Sequence, residues 1–268
     1  MSHPSSQIET IKICSWNINS VRLRAETIAK YCAQYQPDVL CLQETKCENH
    51  LFPQDFFTNI GFHHNIYSGQ KSYNGVAILS KYPLQQSPGI VNHSYARHIG
   101  ARINNLDIYN FYVPAGGDIP DADINEKFAD KLDFLAKMRE AATATKERTI
   151  WVGDFNIAPH ENDVWSHKQL ANVVSHTAIE VEKLLEIQAL GGFTDVARHF
   201  VPYAEKSYSW WSYRNKDWQK SNRGRRLDHI WVTNDLRDML HNYYVASEVR
   251  SWQQPSDHVP ITMIINFG

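Results

Sequence analysis

The chain has 268 residues, 43% of them apolar and 12% aromatic, with a formal net charge of -2. That composition supports a sizeable buried core and excludes a generally disordered chain. Near-neutral charge also excludes a polyanion binder that works through its whole surface, while leaving room for local patches.

The start, MSHPSSQIET, has neither a basic nor an apolar leader region, and no stretch approaches the roughly 18 apolar residues of a membrane span. The expectation is a cytoplasmic protein with no membrane partner and, by default, a monomer. No linker or charge block divides the chain, so a flexible segment 1–10 followed by one domain over 11–268 is expected.

In chain order, β-like apolar runs occur at KICSWNI, VLCLQET, GVAILS, LDIYNFYV, TIWVGDFNI, LDHIWVT and PITMII. Between them lie amphipathic stretches such as FADKLDFLAKM, where Phe128, Leu132 and Leu135 recur at helical spacing. Strands outnumber helices, which predicts a layered α/β fold with sheets packed on each other and helices outside. Cys14, Cys32, Cys41 and Cys47 form no CxxC pair. Reduced, mostly buried thiols are therefore expected rather than a disulfide framework or a zinc site.

The ends of the apolar runs carry hard polar groups: Asn17 and Asn19, then Glu44, then Asn110 and Tyr112, then Asp154 and Asn156, then Asp228, then Asp257 and His258. Any one of them reads most simply as a turn cap bonding nearby backbone. Together they offer carboxylate, amide and imidazole donors without zinc-type spacing, the ligand chemistry that Mg²⁺ or Mn²⁺ prefers. No GxxxxGK[ST], GxGxxG, HExxH or GxSxG motif competes with that reading.

From Lys206 to Arg226 the chain holds seven Lys or Arg residues against Asp217 alone, interleaved with Tyr208, Trp210, Trp211, Tyr213 and Trp218. Basic groups can neutralise backbone phosphates and aromatic rings can pack on bases or sugars, so this segment is a candidate nucleic-acid face. A solvated basic loop is the plainer alternative.

KICSWNIN, PDVLCLQETKC, NGVAILS, WVGDFNIAP, YSWWSYR, NRGRRLDHI and SDHVPI together resemble the exonuclease III and apurinic/apyrimidinic (AP) endonuclease family, within the endonuclease/exonuclease/phosphatase superfamily. The resemblance runs from about Ile11 to the C-terminus. It implies a four-layered α/β sandwich of deoxyribonuclease I type, two packed mixed β-sheets flanked by helices, with the active site where strand ends converge. It further implies a Mg²⁺- or Mn²⁺-dependent DNA phosphodiesterase of base-excision repair, acting on duplex DNA with abasic sites or 3′ ends.

Under that resemblance Glu44 is the principal metal ligand, with Asn17 beside it and Asp257 as a further metal or water contact. Asp154 orients or deprotonates the attacking water or serves as leaving-group acid, and Asn156 and Tyr112 hold the scissile phosphate. His258, oriented by Asp228, lies beside the reacting phosphoryl group. The resemblance also counts Asp154, Asn156 and His258 among the metal-site residues. DNA contacts are implied for Arg22, Arg24, Asn74, Trp210, Trp211, Lys220, Arg223, Arg225 and Leu227. Arg22 and Arg24 read equally well as helix-surface charges.

The chain departs from the family pattern at Ala115, where many relatives carry an amide. It departs also at Asn19, aspartate in some relatives, and at Arg225, aromatic or aliphatic in many. The alternatives are a superfamily phosphatase for inositol or lipid phosphates, and a DNA-binding module without catalysis.

Overall fold

The computed structural model describes residues 8–268, so part of the segment expected to be flexible, residues 1–7, lies outside it. The strands are β1 (Thr10–Asn17), β2 (Val39–Gln43), β3 (His64–Ser68), β4 (Val76–Ser80), β5 (Gln85–Ser87), β6 (His98–Ile103), β7 (Leu106–Tyr112), β8 (Thr149–Asp154), β9 (Phe193–Asp195), β10 (Trp210–Trp211), β11 (Gly224–Arg225), β12 (Asp228–Thr233), β13 (Leu240–Val245) and β14 (Ile261–Asn266). The α-helices are α1 (Ala25–Tyr35), α2 (Gln54–Asn59), α3 (Glu126–Thr143), α4 (His167–Leu170), α5 (Ala178–Leu190), α6 (Val196–Phe200) and α7 (Trp218–Ser221).

Two six-stranded sheets form, ordered β13-β14-β1-β2-β4-β3 and β5-β6-β7-β8-β12-β9. Each has one parallel pair at its centre, β1 with β2 and β7 with β8, and antiparallel neighbours outside it. The parallel pairs are joined by α1 and α3, as a parallel connection requires a crossover.

Period-two side-chain alternation explains the layers. In β1, β2, β8 and β12 one set of residues, including Ile13, Val39, Cys41, Ile150, Val152, Ile230 and Val232, packs between the sheets. The intervening residues face outward onto helices: Trp16, Leu40 and Leu42 against Ile28 and Tyr31 of α1, and Trp151 and Trp231 against Phe134 and Ile187 of α3 and α5. Both faces are buried, hence the unbroken apolar runs in the sequence. The expected four-layered sandwich is thereby observed, and all four cysteines are free and buried.

The inter-sheet layer turns polar towards one end. Asn110 donates to the carbonyls of Leu42 and Ala77 at 2.9 Å each and accepts from Gln43 Nε2 at 2.7 Å, tying the two sheets together. Asn110, at a polar strand end in the sequence, is thus a buried inter-sheet bridge.

Candidate active site

In each sheet the central parallel pair ends in register, Asn17 opposite Gln43 and Tyr112 opposite Asp154. Carboxyl ends of parallel strands are where the chain leaves the sheet and can present side chains into a crevice. Asp228 opens β12 directly opposite Asp154, and His258 lies three residues before β14.

The loops that complete this rim use uncommon backbone. Glu44, Lys46 and Asn156 have φ of 52°, 51° and 53°, the left-handed region that costs non-glycine residues energy and persists where surroundings enforce it. Gly153 has φ +140°, and a Cβ there would meet the Phe111 carbonyl oxygen at 1.9 Å. Only glycine lets β8 approach β7 this closely just before Asp154.

Asp154 is the hub. Its Oδ2 accepts from Asn17 Nδ2 at 2.9 Å and from Asn156 Nδ2 at 3.0 Å, and its Oδ1 accepts from the Asn156 backbone N–H at 2.9 Å. His258 Nε2 lies 3.7 Å from Asp154 Oδ2, while His258 Nδ1 is 2.8 Å from Asp228 Oδ2. Ser209 Oγ donates to the same Asp228 oxygen at 2.6 Å. Asn17 also donates to Glu44 Oε1 at 2.9 Å, and the Tyr112 hydroxyl donates to that oxygen at 2.9 Å. Lys46 Nζ pairs with Glu44 Oε2 at 2.7 Å and donates to Asn19 Oδ1 at 2.6 Å. Asp257, at the outer edge, accepts from Trp210 Nε1 at 3.0 Å and from Asn19 Nδ2 at 3.4 Å.

The electrostatics follow from burial and neighbours. Burial pushes the Asp154 carboxyl up, and the nearby His258 only partly counters it. Burial alone would lower His258, but Asp228 and Asp154 outweigh it and carry the imidazole from 6.5 to about 10. Burial would raise Glu44 too, yet Lys46 and the Asn17 amide bring it below the usual carboxylate range. Burial, with the Glu44 and Asp154 charges behind it, holds the Tyr112 phenol well above its ordinary value. At neutral pH the rim therefore presents an ionised Glu44, an imidazolium and a protonated phenol.

Asp154, Asp228 and His258 bring one donor atom each within 4.8 Å of one another, a spacing that would admit a cation. The 2.8 Å contact between His258 Nδ1 and Asp228 instead marks a hydrogen bond that a cation would have to break. The outer rim offers Glu44, Asp257 and the Asn17 and Asn19 amide oxygens. This all-oxygen set suits Mg²⁺ or Mn²⁺.

The residues expected to touch DNA divide by burial. Arg22, Lys220 and Arg223 are exposed and Asn74 is half-buried. Arg24 is buried: its guanidinium donates to the carbonyls of Asn19, Gln254 and Pro255 and to the Tyr213 hydroxyl. Trp211 is 4% exposed and packs with Tyr208 and Val259, with its Nε1 donating to Asn222. Leu227 is buried with Ala158, Val164 and Leu170, and half-buried Trp210 packs against that cluster.

Arg226 leaves the basic face altogether. It is fully buried, pairing with Asp163 at 2.7 Å and Asp195 at 2.8 Å. Arg225 lies over the Trp210 ring at 5.4 Å and donates to Val174 O at 3.0 Å and Ser175 Oγ at 2.6 Å. It lines a pocket of about 730 Å³ with Trp165, Trp210, Arg214, Arg223 and the single carboxylate of Asp118.

Ser209, and the pairing of Lys46 with Glu44, escaped the sequence reading. A serine next to aromatics carries no local signal, and Lys46 lay inside a quoted motif without a role.

A sequence model described as the Endonuclease/Exonuclease/phosphatase family matches residues 14–258. Exodeoxyribonuclease III of Haemophilus influenzae is 29% identical, over 94% of this chain and 98% of that one. Among solved structures, an AP endonuclease from Archaeoglobus fulgidus superposes with TM-score 0.88 at 34% identity, covering 95% of this chain and 99% of that one. A 3′ phosphatase from Neisseria bound to a product DNA hairpin superposes with TM-score 0.89 at 30% identity, covering 96% and 100%.

Proposed function

The chain belongs to the endonuclease/exonuclease/phosphatase family, and we propose that its converging strand ends hydrolyse phosphodiester or phosphomonoester linkages of DNA during repair. It is a nuclease-type hydrolase of the exonuclease III and AP endonuclease branch. The observation that carries the site assignment is the single constellation linking Glu44, Asn17, Asp154, Asn156, Asp228 and His258 across both sheets, hydrogen-bonded throughout except for the 3.7 Å ion-pair contact of His258 with Asp154.

A phosphodiester repels nucleophiles by its own charge, and its transition state gathers more charge on the equatorial oxygens. Preset donors at those oxygens lower the barrier. Here the donors are the His258 imidazolium, the Asn156 amide and the Tyr112 hydroxyl. Asp228 keeps the ring protonated and aimed through Nδ1, leaving Nε2 for the substrate. Asp154, raised by burial towards neutral pH, is suited to take a proton from the attacking water. Water oxygen bonds to phosphorus as its proton passes to Asp154, the bond to the leaving oxygen breaks, and that oxygen takes a proton from solvent, to which Asp154 then returns its own. A Mg²⁺ or Mn²⁺ ion held by Glu44, with Asn17 and Asp257 nearby, would neutralise phosphoryl charge there.

Arg22, Asn74, Lys220 and Arg223 meet the backbone of duplex DNA, while Arg24, Trp211 and Leu227 support that surface from within. Arg225 lies over one face of Trp210 and so narrows the room there for an extrahelical, baseless sugar. With its pocket mates Arg214 and Arg223 it sets three guanidinium groups against one carboxylate. This favours phosphate-bearing 3′ ends over internal abasic sites as the better substrates.

The test compares cleavage of duplexes with a recessed 3′-OH, a 3′-phosphate and an internal abasic analogue, each in Mg²⁺, Mn²⁺ or excess EDTA. Cutting that persists in chelator, or no cutting of any substrate with metal, would refute the proposal.

A further inference from the structure

Beneath the site lies an ion pair that the hydrolytic chemistry does not use. Lys131 of α3 and Glu180 of α5 are both fully buried, and Lys131 Nζ sits 2.5 Å from Glu180 Oε1. The same ammonium donates to the Asn156 carbonyl at 2.8 Å and to the Ala115 carbonyl at 3.4 Å. These carbonyls belong to the loops that follow β8 and β7, the two strands that deliver Asp154 and Tyr112. Glu180 in turn accepts from the Ser175 N–H at 3.0 Å, the Thr177 N–H at 3.2 Å and Thr177 Oγ1 at 2.6 Å. One buried pair thus joins two helices and three loops.

The packing around it is equally specific. Gly116 has φ +88°, and a Cβ there would meet Lys131 Cδ at 2.9 Å and Val174 Cγ1 at 3.0 Å. The loop can lie on the lysine stem only because this residue is glycine. On the other side the ammonium holds the carbonyl of Asn156 while that residue occupies its left-handed conformation. That conformation aims the Asn156 side chain at Val113 O and Asp154 Oδ2, 2.9 and 3.0 Å away.

Energy gives the reason to look for a role. Withdrawing two charges from water costs several kcal/mol per ion, and a well-packed apolar pair of similar volume is often as stable. Stability alone therefore explains this pair poorly. Directional bonds to two loop carbonyls are what an apolar pair could not supply.

We propose that Lys131 and Glu180 are positioning residues that preset the Asn156 and Ala115 backbone, and with it the geometry at Asp154, for the chemical step. The inference rests on the reading of Asp154 and Asn156 as the reacting centre. The pair touches no solvent-facing DNA surface, so it acts on turnover and not on DNA affinity. A misplacement of about 1 Å from such a remote change can cost about a hundredfold in rate.

The experiment uses the full chain. The double variant Lys131→Met with Glu180→Gln removes both charges, keeps the volume and retains an acceptor for Ser175 and Thr177. Met138→Ala, a cavity on the same α3, controls for a general loss of stability. Single-turnover cleavage of a 3′-phosphate duplex and DNA affinity are measured with Mg²⁺.

The double variant is expected to lose about a hundredfold in rate with affinity within about threefold, and Met138→Ala to lose less than about threefold in rate. Hydrogen exchange of peptides covering 113–117 and 155–159 is followed in parallel and should quicken at least about tenfold in the double variant alone. Cleavage by the double variant within about threefold of the unaltered protein overturns the proposal, as does an equal loss in Met138→Ala. Should the unaltered protein cut no DNA, the functional reading fails. Exchange then decides the clamp by itself, and unchanged protection of both loops would overturn it.

Discussion

Replacing Asp228 by Asn tests the electrostatic core of the proposed mechanism with the smallest change in shape. The carboxylate lies 2.8 Å from His258 Nδ1 and is itself buried. Burial works against a protonated ring, and Asp228 is the foremost of the charges that reverse this, carrying His258 from 6.5 to about 10. That difference corresponds to about 5 kcal/mol of preference for the imidazolium.

With Asn at 228 the foremost of these charges is gone while burial and the lesser pull of Asp154 remain, so the ring must surrender its proton at a lower pH. The sign is fixed by which form is needed. Protonated His258 donates, so the unaltered protein keeps this contribution until pH approaches about 10, whereas the variant loses it at a lower pH.

Single-turnover rates should fall about 10³- to 10⁴-fold, comparable to losing the carboxylate behind a catalytic histidine. DNA affinity should stay within about threefold. The assay is cleavage of a 3′-phosphate duplex from about pH 6 to 10, with the ring titration followed by ¹⁵N NMR. A rate within about tenfold of the unaltered protein, together with an unmoved alkaline limb, would refute the reasoning.

Asp163→Asn leaves the Arg226 and Arg198 guanidinium groups without their shared carboxylate, and should cost about 3–5 kcal/mol in calorimetry. Burial alone would raise the Asp163 carboxyl, but the two arginines hold it well below its ordinary 3.8. Its stabilisation is therefore complete above that value and lost as pH falls beneath it, and the variant should lack this part of the acid sensitivity. Replacing Lys220 and Arg223 together by Ala should reduce the slope of log affinity against log salt by about 2, with a smaller effect on the chemical step. Arg225→Ala, by uncovering Trp210, should raise the ratio of abasic incision to 3′-phosphate release by about tenfold in paired rate measurements, and an unchanged ratio would remove Arg225 from specificity.

Strands buried on both faces were legible as unbroken apolar runs, and the seven runs recur in the structure within two residues at each end, except that TIWVGDFNI overruns the end of β8 by three. Strands of the edges were not. The residues of β3, HNIYS, are all half-buried, and β5, β9, β10 and β11 are only two or three residues long, so neither periodicity nor apolar content marks them. In α3 the spacing of Phe128 and Leu135 was readable. Lys131 shares that apolar stripe, and only the tertiary structure brings Glu180 and two loop carbonyls to it. At the start of α5 Thr177 and Glu180 form a capping box.

By itself the sequence determined which groups are candidates for the chemistry: hard oxygen donors and a histidine at the ends of apolar runs, in an order that resembles a known family. Burial pattern and residue type are local properties, so they survive in one dimension. Which of those groups share a proton or a charge was decided only by the tertiary structure. Asn110 became a bridge between sheets, Arg226 left the basic face for a buried network, and Arg24 turned inward. Hydrogen bonds and Coulomb forces act over a few ångströms, and residues far apart in the chain come within that distance only when the two sheets close upon each other.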